Sequence, residues 1–79
     1  MTDNNEQTSL DVSLKSAIDS TICDMLDIVE RARILRNRSM DGEFKQFAVY
    51  TENHMLMIAE KWAGFGIHAK EHLERFRSN

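Results

Sequence analysis

The chain has 79 residues, a formal net charge of −3, one cysteine and no proline. A chain this short forms one domain at most and buries only about 60–65 % of its unfolded surface, so its stability as a monomer is marginal. Cys23 is the lone thiol, which excludes an intrachain disulfide and a cysteine-rich zinc site and leaves oligomerisation as the route to stability. The acidic balance argues against general nucleic-acid binding.

Residues 1–8 are polar and without periodicity, and they read as a disordered tail ahead of a single helical domain over residues 9–79. They lack the basic start and apolar run of a secretion signal. No stretch reaches the ~20 apolar residues of a membrane span. With the lone thiol, these features predict a soluble, cytoplasmic protein.

Thr8-Ser9-Leu10-Asp11 has the pattern of a helix N-terminal capping box. From there the apolar residues recur at helical spacing, and the sequence predicts a first helix over residues 9–36. Leu10, Leu14, Ala17, Ile18, Thr21, Met25, Ile28, Val29, Ala32 and Leu35 form its apolar stripe. Asp19 falls on the polar side or its margin. Asp11–Lys15 and Asp27–Arg31 stand four apart in the favourable acid-to-base order. Residues 37–42 form the turn, with Asn37 suited to a left-handed cap and Ser39 or Asp41 to capping the next helix. A connection of this length places the two helices antiparallel, as a helical hairpin.

The second helix is expected over residues 43–77. Phe44, Phe47, Ala48, Thr51, Met55, Ile58, Ala59, Trp62, Phe65, Ala69, Leu73 and Phe76 keep one helical phase throughout. Ala63-Gly64-Phe65-Gly66 lowers helix propensity by about 1 kcal/mol per glycine, which predicts a kink or break near Gly64–Gly66, the preserved phase favouring a kink. A second apolar group, Val49, Leu56, Ala63 and Ile67, lies about 120–140° around the wheel, with Tyr50 and Met57 on another flank. One partner helix does not cover so wide an apolar surface.

The chemical motifs are sparse. His68-Ala69-Lys70-Glu71-His72 matches the H-x-x-E-H pattern of zinc peptidases, but a catalytic zinc also needs a distant third ligand and a substrate cleft. The pattern therefore reads as two histidines on a polar face, with no metal or cofactor. Cys23 falls away from the apolar stripe beside Asp24 and Asp27, where its thiolate is disfavoured, and reads as an inert exposed thiol. Arg31, Arg33, Arg36 and Arg38 ring the end of the first helix. Cations are favoured there by the helix dipole, and the four are a candidate patch for an acidic protein or a nucleic acid.

These features predict an all-α, non-enzymatic protein: a homodimer of antiparallel helical hairpins forming a four-helix bundle. Its expected role is regulatory or adaptor-like, through protein–protein binding on a helical surface to a larger partner. The expected dimer or partner interface comprises Leu14, Ile18, Met25, Met55, Leu56, Ile58, Ala59, Trp62, Ala63, Phe65 and Gly66, with Ala59, Ala63 and Gly66 permitting a close helix crossing. Two alternatives are a nucleic-acid-binding regulatory dimer using Arg31–Arg38 and a chaperone or structural subunit of a larger assembly.

Overall fold

The computed structural model describes residues 11–78, and its regular elements there are three helices: α1 (Val12–Arg38), α2 (Gly42–Ala63) and α3 (Ala69–Ser78). The Thr8 cap and the 1–8 tail lie outside the described residues. Asp11 is the N-cap of α1, its carboxylate accepting from the Leu14 N–H at 2.8 Å. The residue expected to pair with Lys15 thus satisfies one of the free donors of the first turn. Asp41 does the same for α2, accepting from the Phe44 N–H at 3.0 Å.

Between them the chain passes through an extended Ser39, whose N–H donates to the Arg36 carbonyl and whose hydroxyl accepts from the Asp41 N–H. No described residue has a positive φ, so Asn37 does not form the left-handed cap expected of it. Arg36 and Arg38 occupy the last turn of α1, where the helix dipole favours cations.

The contacts run α1 and α2 past each other in opposite directions. Arg33 and Arg36, near the turn, meet Glu52, whereas Asp19, two turns into α1, meets residues just beyond α2. The inward row of α1 is Asp19, Ile22, Leu26 and Val29, and that of α2 is Ala48, Glu52, Ala59 and Ala63. The stripe expected on α1 is therefore rotated. Among its described members only Val29 is fully buried, while Leu14, Ile28 and Leu35 face outward. The cause is polar side chains that reach partners on the other elements. Asp19, Arg33 and Arg36 read as solvent-facing on a wheel, yet each finds its partner inside the fold.

The second predicted helix is two helices. The last turn of α2 tightens at Gly64, with Phe65 N–H donating to Trp62 and Gly66 N–H to Ala63, and the chain re-enters a helix at Ala69. A break leaves backbone donors without acceptors. Asp19 supplies the acceptors, one oxygen taking the Ile67 N–H at 2.9 Å and the other the His68 N–H at 3.0 Å. A carboxylate at the start of α3 is also favoured by that helix's dipole. Gly66 makes the approach possible, since a Cβ there would lie 2.2 Å from the Asp19 oxygen.

Turned back by this joint, α3 lies along one side of the α1–α2 pair. Ala69 and Leu73 are buried with Ile22, Leu26, Ala59 and Ala63. Arg77 pairs with Glu60, and the Arg33 guanidinium stands 5.1 Å over the Phe76 ring. The core is small. Among the described residues its members are Ile22, Leu26, Val29, Ala48, Ala59, Ala63, Ala69 and Leu73, half of them alanine.

Gly66→Ala is expected to lower stability by about 1–3 kcal/mol, because the new methyl displaces Asp19 from two N–H groups. Gly42→Ala, where nothing lies within 4 Å of an added Cβ, is expected to be neutral or to gain up to ~1 kcal/mol. Thermal melts of the two variants check this, and equal melting temperatures would contradict it.

Candidate interaction surface

With the inner row of α1 assigned, seven uncharged residues form a row on the side away from α3: Leu14, Ile18, Thr21, Met25, Ile28, Ala32 and Leu35. The steps alternate four and three residues. On α2, Phe44, Ala48, Thr51, Met55, Ile58 and Trp62 repeat the alternation, and Phe65 continues it just beyond the helix. Neither row contains a charged residue. Ile18 and Met25 pack against the core and Ala48 is buried, so these form the floor. The outer members are open to solvent, Ile28 by 44 %, Leu35 by 51 %, Trp62 by 42 % and Phe65 by 60 %.

Between the rows runs a shallow groove of about 260 Å³, walled by Ile28, Ala32 and Leu35 from α1 and by Phe44, Phe47 and Thr51 from α2, with Arg31 at its rim. Rows stepping four and three on adjacent helices are the pattern into which the side chains of further helices insert, knob into hole. The surface is an apolar face two helices wide and open on one side.

The residues expected at an interface divide into two groups. Leu14, Met55, Ile58, Trp62 and Phe65 lie on the open face, with Ile18 and Met25 at its inner margin. Ala59, Ala63 and Gly66 do not provide a crossing for a second copy. Ala59 and Ala63 are buried beside Ala69, and Gly66 is pressed against Asp19, so the small residues serve the close packing of α3 within the chain. Leu56 belongs with them. Part of the second apolar group is thus covered by the chain's own third helix, while Val49 and Ile67 stay exposed, as do Tyr50 and Met57 on the outer side of α2. There the Tyr50 and His54 rings stack at 5.4 Å.

The four arginines do not form one patch. The Glu52 carboxylate is buried and accepts from Arg33 Nε at 3.1 Å and from Arg36 Nε at 2.6 Å. Arg33 is further engaged by Phe76. Arg31 and Arg38 remain on the surface. Burial alone would push the Glu52 carboxyl up, but hydrogen bonds from Arg36 and Arg33, and their charges, outweigh it and hold the group below the usual range. The same hydrogen bond raises Arg36.

Two further expectations are placed. His68 Nδ1 stands 3.4 Å from Glu71, while His72 turns toward α1 and lines a hollow with Cys23, Asp27 and Arg75. Cys23 is accordingly half-buried beside α3, not an exposed thiol on a free polar face. The roles of Asp19 and Glu52 were missed from sequence. The available signal was a carboxylate standing in register with buried positions, Asp19 three residues before Ile22 and Glu52 four after Ala48. No protein-family model, curated protein or solved structure matches this chain.

The depressed Glu52 value fixes a sign. Its pairing stabilises the fold fully above the ordinary glutamate value of 4.5, and the contribution is lost as pH falls through the lower folded value. Glu52→Gln is therefore expected to cost about 1–3 kcal/mol at neutral pH, with the gap to wild type closing in acid below that value. Denaturant melts across pH measure it, and a gap independent of pH would contradict the assignment.

Proposed function

We propose that this chain is a small, non-catalytic regulatory or adaptor protein that binds another protein through the open face of α1 and α2. The observation that carries the reading is the pair of uncharged rows, seven residues each, stepping four and three along adjacent helices with their outer side chains in solvent. Contiguous apolar surface of this kind marks an interaction site on a soluble protein. Its aromatic members, Phe44, Phe47, Trp62 and Phe65, are the side chains that most often anchor interfaces. A core that is half alanine supports the same conclusion, because most of the large apolar side chains are outside it. A helical surface of this design suits helices as partners.

Arg31 and Arg38, which form no ion pair among the described residues, flank the α1 edge and suit an acidic rim on the partner. The nucleic-acid reading loses support, since Glu52 already engages Arg33 and Arg36.

With the full chain as bait, affinity capture is expected to retain a protein partner that Phe47→Asp binds at least about tenfold more weakly. Phe47 is 62 % exposed, so the variant keeps its helical circular dichroism. A partner held equally by both proteins, or capture of nucleic acid alone, would contradict the proposal.

A further inference from the structure

The two rows are alike, and that points to their occupant. We infer that the open face is occupied by a second copy of this chain, the α1–α2 pairs of two copies forming a four-helix layer with each α3 on the outside. The inference rests on the protein-binding reading above and names the partner on that face.

Size supports it first. Leu14 to Leu35 on α1 spans 21 helical steps, about 32 Å, and Phe44 to Trp62 on α2 spans 18, about 27 Å, with Phe65 just beyond the helix. Two helices packed 8–10 Å apart present a strip about 20 Å wide with their side chains. The face therefore offers roughly 600 Å² per copy and about 1,200 Å² in a pair, which reaches the range of stable interfaces.

Pattern supports it next. Rows of similar length, equal spacing and no charge are complementary to themselves, so either helix accepts the knobs of either helix of a copy. Charge agrees, because the outer margins of the face carry both signs, Asp24 and Arg31 beside the α1 row and Lys61 beside the α2 row. Two-fold pairing thus does not force like charges together along a margin. The position of α3 completes the case. It covers the opposite side of the α1–α2 pair, so the association closes at two copies and does not propagate.

Sedimentation equilibrium of the full chain tests the inference, with Ile28→Asp as the disrupting variant and Ile34→Asp as its control. Ile34 is 49 % exposed and lies outside both rows. The expected mass of wild type is twice 9.2 kDa. Ile34→Asp keeps that mass, whereas Ile28→Asp weakens association by more than about a hundredfold, because its charge is buried without a partner.

A second readout needs no variant. Trp62 is the only tryptophan and is 42 % exposed in the single chain, so its emission shifts to the blue and its quenching by acrylamide falls as wild type is concentrated. A wild-type mass of one chain at millimolar concentration overturns the inference. So does equal loss of association in both variants, or an emission maximum independent of concentration. A single-chain wild type whose partner is still lost by Phe47→Asp overturns the second copy alone and leaves the protein-binding reading standing. A pair broken by Ile28→Asp, with no partner sensitive to Phe47→Asp, supports the second copy and removes the wider reading.

Discussion

Two hydrogen bonds to one carboxylate determine how the chain is arranged. Without Asp19, the N–H groups of Ile67 and His68 would lack acceptors in a region partly withdrawn from water, and breaking the helix after Gly64 would leave them unpaired. With it, the chain turns, α3 lies back over Ile22, Leu26, Ala59 and Ala63, and one side of the α1–α2 pair becomes the inside of the molecule. The other side is then left with the larger apolar residues. Gly66 belongs to the same device, because any larger side chain would occupy the space of the Asp19 oxygen.

A second polar contact fixes how the first two helices meet. The Glu52 carboxylate lies among small residues on α2 and receives Arg33 and Arg36 from α1, so sliding one helix past the other would strand a buried charge. Desolvation offsets much of the attraction in such a group, and its main consequence is that misaligned packings are costly. Arg33 extends the alignment to α3 by resting on the Phe76 ring, so one guanidinium touches features of all three helices. Alanines at 48, 59 and 63 allow the backbones to approach closely enough for these side chains to reach.

The sequence was readable where local rules act alone. The helical character of residues 12–38 and 42–63, the Asp41 cap and the interruption at Gly64–Gly66 all follow from periodicity and turn chemistry. The choice of inner face was not readable, because an apolar wheel assigns Asp19, Arg33 and Arg36 to solvent. Their placement depends on partners 16 to 49 residues away. The same blindness made Ala59, Ala63 and Gly66 look like an intermolecular crossing when α3 and Asp19 already use them. The open face, by contrast, was visible as an excess of apolar residues on the second long segment, and only its extent along α1 depended on the tertiary fold. Trp62 and Phe65 keep their place on it, and Ile28 and Leu35 move from core to surface.

The fold therefore turns on a joint that commits one face inward and leaves its opposite free. Amide hydrogen exchange at Ile67 and His68 tests that joint most directly, since these residues lie outside any helix and owe their protection to the Asp19 carboxylate alone. Both amides are predicted to exchange slowly, on the timescale of the interior of α2. Exchange as fast as that of an exposed loop, or chemical shifts showing unbroken helix from residue 60 to 72, would contradict the account.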